Sequence, residues 1–227
     1  MEAEHTYLSR GSHKVMAEVI AGIEIPETAA VAEATTHIRE TTAPVIYHHS
    51  RRVYFFAQLF AQRLGLKPDP ELLYVASLFH DYGLLTPFSA VEQRFEVDGA
   101  DHASTFLLDR DFSAAAARTV WEAIALHTTP GIPGRMGPEI ATTQLGVMTD
   151  VIGAGLDGLE QDRVDEILAA HPRGDFKNEF LRMQVDGMRN RPDTTIGTFN
   201  ADLLEHFVPG YQSPSLVDLT IRSPWPS

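Results

Sequence analysis

Six residues of this chain have side chains suited to holding or activating a cation: His49, the adjacent pair His80-Asp81, His102, His127 and Asp150. Gaps of 31, 22, 25 and 23 residues separate His49, His80, His102, His127 and Asp150 in turn. Each gap is about the length of one helix and its connection. Imidazole and carboxylate are the common ligands of Zn²⁺, Fe and Mn²⁺. One histidine on an apolar face is ordinarily a core residue with a satisfied ring. Six such groups on consecutive helices, two of them adjacent, require a stronger reason, and a metal supplies it.

The elements that must carry these residues read as helices almost throughout. Thr28 to Thr42 is alanine-rich and stops before Pro44. Pro44 suits the first turn of a long helix that Gly65 terminates. In that helix His49, Val53, Phe56, Phe60 and Leu64 recur at i, i+4, i+7, i+11 and i+15, an apolar stripe headed by histidine. Asp69-Pro70 reads as the cap and first position of a third helix, which runs through Leu72, Leu73, Val75, Ala76 and Phe79 into His80-Asp81-Tyr82-Gly83. Leu84 to Gly99 reads as a loop. A helix from about Ala100 to Asp109 places His102 and Phe106 on one face. Ser113 caps the next, whose Val120 and Ile124 stripe ends in His127. Thr128 to Pro138 holds three prolines and three glycines and reads as an ordered or lid-like loop. Ile140 to Gly153 reads as a helix carrying Val147 and Asp150, followed by helical stretches near Gln161–Ala170, Lys177–Arg189 and Thr198–Phe207. No repeat, low-complexity tract or strand alternation stands out.

The expected fold is therefore all-α with one domain. Residues 1–25 form an N-terminal segment in which Arg10-Gly11-Ser12-His13 has the look of a cloning remnant, so His5 and His13 are set aside. The domain covers 26–208. Residues 209–227 hold four prolines and read as an irregular tail packed on the domain by Leu216, Leu219 and Trp225. With 18 basic and 31 acidic residues the net charge is −13, which repels nucleic acid and anionic membranes and points to a small-molecule substrate. The chain has no cysteine, which removes thiolate ligands, disulfides and a Cys nucleophile and fits a cytoplasmic location. No apolar run approaches the roughly 18 residues of a membrane span. A homo-oligomer is left open.

His49 and His80 are expected on neighbouring antiparallel helices, with Asp81 beside His80 and Asp150 arriving from a later helix. Four such ligands hold one divalent cation and leave room for water, the condition for catalysis rather than a closed structural site. A cation so held acidifies its water. His102 and His127 either ligate a second metal or act as acid/base groups facing the substrate. Tyr82 and Phe88, just beyond the His-Asp pair, are candidates to line a pocket. Arg51 and Arg52 either clamp a phosphate or pair with carboxylates of neighbouring helices. Only Lys14, Lys67 and Lys177 supply ammonium groups, and none adjoins a candidate ligand.

His49, His80-Asp81 and Asp150 resemble the H…HD…D signature of the HD-domain metalloenzyme superfamily. The words His48-His49-Ser50-Arg51-Arg52-Val53-Tyr54, Phe79-His80-Asp81-Tyr82-Gly83, Arg94-Phe95-Glu96-Val97-Asp98-Gly99-Ala100-Asp101 and Ala123-Ile124-Ala125-Leu126-His127 are similar to its cyanamide hydratase-like branch, over about residues 26–210. The resemblance implies a helical HD bundle in which His49, His80, Asp81 and Asp150 ligate a divalent metal, Zn²⁺ foremost and Fe or Mn²⁺ as alternatives. It implies that His127 is an added ligand or catalytic residue, and that water adds across the C≡N bond of a small substrate. His102 departs from that branch, where a small residue is usual. It resembles instead the dinuclear HD proteins, some of them phosphohydrolases and some di-iron oxygenases, so a second metal and those two reactions stand as alternatives. A non-catalytic metal-binding module is the remaining one.

Overall fold

The second helix organises the chain. In the computed structural model, which describes residues 18–85 and 92–225, α2 runs from Pro44 to Leu64 after α1 (Ala29–Thr41). Thr28 caps α1 by accepting from the Val31 amide, and Gly65 ends α2 in the left-handed conformation at φ 66°. The stripe headed by His49 is buried through Phe60, while Leu64 at its end is exposed. α3 (Pro70–Phe79) starts where Asp69 accepts from the amides of Glu71 and Leu72, and it hands over to a 3₁₀ turn at Tyr82–Leu84. α4 (Phe95–Leu108), α5 (Ala114–Ala125, capped by Ser113) and α6 (Pro138–Ile152) complete the inner bundle. α7 (Gln161–Ala170), α8 (Phe176–Met188), α9 (Phe199–Phe207) and α10 (Leu216–Ile221) follow. The fold is all-α, and no helix among the described residues is long and apolar enough to cross a membrane.

Three features differ from the sequence expectation. A two-residue hairpin, β1 (Val19–Ile20) and β2 (Ile23–Glu24), precedes α1, turning through Ala21 and Gly22, both at positive φ. Two-residue strands are too short to show alternation. α4 begins at Phe95, five residues before Ala100, so the last five residues of the expected loop are helix. Gly99, read as the end of that loop, lies inside the helix for a tertiary reason. A Cβ there would meet the Phe79 carbonyl oxygen at 2.8 Å, and one on Gly83 would meet the Phe95 oxygen at 2.0 Å. The missing side chains let the start of α4 press against the His80-Asp81 corner. The tail is the third: it forms α10, and Leu216, Leu219 and Trp225 are exposed rather than packed, at 77%, 52% and 80%. No strong apolar period holds a six-residue helix to the body. Phe88, His5 and His13 lie outside the described residues.

The main core fills the space between α1, α2, α3, α4 and α5. Two smaller clusters flank it. One joins Leu84 and Phe95 to Val185, Met188 and Leu204 of α8 and α9, and the other seats Phe176 and Phe180 on Ile46. The seam between α2 and α6 matters most to the chemistry, because it carries His49 on one side and Asp150 on the other. Gly146 permits it, since a Cβ at that position would lie 2.4 Å from the Val53 carbonyl oxygen. In an unconstrained helix, replacing Gly by Ala adds about 1 kcal/mol of stability. Here overpacking reverses the sign. Gly146→Ala is expected to lower the unfolding free energy by about 1–3 kcal/mol in urea denaturation, and a stabilised variant would contradict the seam as described.

Candidate metal centre

Four polar side chains from three places in the chain meet in the interior. His49 comes from α2, His80 and Asp81 from the corner after α3, and His127 from the residues just past α5. Their exposures are 0%, 0%, 2% and 1%, so bulk solvent does not reach them. His49 Nε2 lies 3.1 Å from His80 Nε2. Asp81 Oδ2 lies 3.5 Å from His49 Nε2 and 3.3 Å from His80 Nε2, and His127 Nε2 is 3.8 Å from Asp81 Oδ1.

The far nitrogen of each ring is tied to the protein. His80 Nδ1 donates to the Ser77 carbonyl at 2.8 Å, and His127 Nδ1 donates to the Ile124 carbonyl at 2.6 Å. His49 Nδ1 meets Asp150 Oδ2 at 2.6 Å. Such bonds fix which ring nitrogen carries the proton. With Nδ1 as donor, each neutral ring turns a lone pair toward Asp81. Asp81 Oδ2 is buried without a hydrogen-bond partner, and Gln184 reaches only Oδ1, at 3.4 Å. Acceptors converging on one point, one of them an orphaned carboxylate oxygen, suit a divalent cation. The ligand atoms of His49, His80 and Asp81 lie within 4.8 Å of one another, a grouping that can hold one.

Asp150 stands on the opposite side of His49 from that group. Besides His49 it accepts from Arg52 Nε at 2.7 Å, Arg52 Nη2 at 2.9 Å and Arg173 Nη1 at 2.6 Å. In this arrangement it orients the first histidine through a carboxylate–histidine contact. His102 is half-buried on α4, and its ring packs on Tyr82 at 5.3 Å; the Tyr82 hydroxyl meets His37 Nε2 at 2.7 Å. Tyr82 is buried at the edge of the core, and neither it nor His102 belongs to the His49–His80–Asp81 group. Arg51 and Arg52 take the ion-pairing option, with Glu18 and Asp150. His48 meets His171 at 3.2 Å, and His171 stacks on Phe55.

The sequence reading passed over Glu96, which is fully buried. Its carboxylate accepts from Arg94 Nη2 and Asn200 Nδ2, both at 2.9 Å, and from the hydroxyl of Thr128, the residue after His127. Nothing in the spacing marked it, because Thr128 and Asn200 stand 32 and 104 residues away. Burial works to raise the pKa of Glu96, but the Arg94 hydrogen bond and the proximity of His127 bring it below the usual value. Arg173 was equally illegible, arriving from the turn after α7.

Charge is distributed unevenly across the centre. Burial opposes ionisation of Asp81 and Asp150, yet their histidine and arginine neighbours hold both well below the usual carboxylate range. Burial lowers His127 to about 4 and His171 to about 3, and it lowers His49 against the pull of Asp150. His80 goes the other way: burial favours the neutral ring, but Asp81 and the Ser77 carbonyl together raise its pKa.

Residues 46–170, more than half of the chain, match the family model described as HD domain. No curated protein matches the sequence.

Asp81→Ala is expected to strip the protein of metal, as measured by elemental analysis after purification. The chelator-induced drop in melting temperature should disappear with it, since a bound cation favours the native state by mass action. Full metal content in the variant would remove Asp81 from the ligand set. A second expectation concerns acid. A histidine whose pKa is lowered by folding contributes stability above its unfolded value of about 6.5, and the contribution is lost as pH falls toward the folded value. His49, His127 and His171 act in that sense and His80 in the opposite one. With a neutral chelator present, the unfolding free energy should therefore fall between pH 6.5 and 4, and a flat profile would contradict the assignments.

Proposed function

The chain belongs to the HD domain family, and from that premise we propose that it is a hydratase acting on the C≡N bond of a small uncharged substrate. The family is one of metal-dependent hydrolases in general type, and His49, His80 and Asp81 form a group able to hold a divalent cation. Zn²⁺ is the metal this reading favours, with Asp150 as orienting partner of His49 or as a fourth ligand. A divalent ion at this place supplies Lewis acidity and lowers the pKa of a water beside it.

The observation that carries the substrate class is the fate of the cations. Phosphoryl transfer spreads charge over three oxygens and needs cationic clamps. Arg52 spends Nε and Nη2 on Asp150, and Nη1 on the carbonyls of His171 and Pro172. Arg173 is on Asp150 and Arg94 on Glu96. Each of these guanidinium groups is paired with a carboxylate of the protein. The location of His102 beside Tyr82 lends no support to a second metal.

His127 carries the proton traffic in this reading. Its Nδ1–H is fixed on Ile124, and burial keeps the ring neutral near pH 7, so Nε2 is a base in the resting centre. It takes a proton from the attacking water as the new C–O bond forms, and returns it to the nitrogen whose C≡N bond loses one π bond. The resulting imidic acid tautomerises to the amide, or to urea when the substrate is cyanamide. Atoms balance as one water added per nitrile. Asp81 beside Nε2 stabilises the transient imidazolium.

A panel of cyanamide, simple nitriles, isonitriles and nucleotide monophosphates tests the proposal. Urea or amide formation is expected, and His127→Ala should reduce kcat at least about a hundredfold, the usual scale of general base catalysis. Turnover of nucleotides alone would replace this reading with phosphohydrolysis.

A further inference from the structure

The back of α2 carries a second concentration of unusual groups. Arg51 stands two residues from His49, about 200° around the helix, and so faces away from the metal centre. It lines an open cleft of about 550 Å³ together with Glu18, Glu27, Thr35, Arg39 and Tyr74. Its side chain is 2% exposed, and its guanidinium carbon sits 5.7–5.8 Å from the rings of Tyr47, Phe55 and Tyr74. Such a cation has little water to stabilise it and should be fully paired.

It is not. Arg51 Nη1 donates to the Tyr47 hydroxyl at 2.9 Å and Nη2 to Glu18 Oε1 at 2.6 Å, while the buried Nε has no hydrogen-bond partner. Nε and Nη2 form the edge of a guanidinium that takes a planar carboxylate with two parallel bonds. The next residue shows the complete form: Arg52 gives Nε and Nη2 to the two oxygens of Asp150. On Arg51 that edge is half used, by a glutamate whose side chain is 52% exposed. Beside it, Arg39 Nη2 donates to the same Tyr47 hydroxyl at 2.9 Å. The Tyr47 hydroxyl thus joins two guanidinium groups, and Glu18 pairs with Arg51. Glu27 lines the cleft without an ion pair to them.

We propose that this cleft binds a small dicarboxylate. One carboxylate takes the place of Glu18 and completes the Nε/Nη2 edge of Arg51. The other meets Arg39, and the hydroxyl of Thr35 and the apolar side of Val31 border the linking carbons. Two cations sharing one phenol oxygen match a dianion with a short spacer. Glu18 is the internal competitor that any such ligand must displace.

The test uses succinate as the probe, followed by calorimetry at low ionic strength. 1,10-Phenanthroline, a neutral chelator, keeps carboxylates from binding through a metal. Succinate is expected to bind the unaltered protein. Glu18→Gln should bind it severalfold tighter, because the competitor is gone. Arg39→Gln should bind it at least about tenfold weaker, the loss of one charge-assisted hydrogen bond. Both positions are at the surface edge of the cleft, so circular dichroism should be unchanged. Absence of succinate binding to the Glu18→Gln protein would overturn the site. Equal affinity in Arg39→Gln would overturn it too, and inorganic phosphate binding as tightly as succinate would overturn the dicarboxylate assignment.

Discussion

A carboxylate sealed inside a helical bundle must find its counter-charge within the protein, and in this chain Asp150 is that carboxylate. It gathers His49, Arg52 and Arg173, three donors from α2 and from the turn after α7, onto two oxygens. Removing it would leave Arg52 as an unpaired buried cation, a far larger penalty than losing one contact. The same bond that compensates charge also fixes the ring of His49, and with it the direction of the lone pair offered to the centre. Electrostatic compensation and ligand orientation are one interaction here.

The inner bundle was largely legible because its boundaries are written in local chemistry. Thr28, Asp69-Pro70 and Ser113 start helices by satisfying their first amides, and Gly65 and Gly153 end them at positive φ. Failure came where the reason for a residue lies far away in sequence. Gly99 is in a helix because another backbone passes close to it, and no window around it records that. The tail carries Leu216, Leu219 and Trp225, which read as packing residues, yet nothing in their order says what they pack against.

The candidate site divides along the same line. His49, His80, Asp81 and His127 were visible as residue types at helix-length intervals, and they converge. His102 satisfied the same interval and lies with Tyr82 instead, because spacing reports that a residue is one helix on but not which way its side chain turns. Glu96 fell in a stretch that read as loop. Its burial depends on Thr128 and Asn200, whose arrival requires the whole fold.

The Gly146 seam has a consequence for how such a protein is reshaped. Where α2 and α6 touch backbone to backbone, the spacing between His49 and Asp150 is set by main-chain contact rather than by exchangeable side chains. The proline- and glycine-rich stretch between α5 and α6 begins just after His127 and lies outside that contact. Substitutions in that stretch leave untouched the main-chain contact that spaces His49 and Asp150.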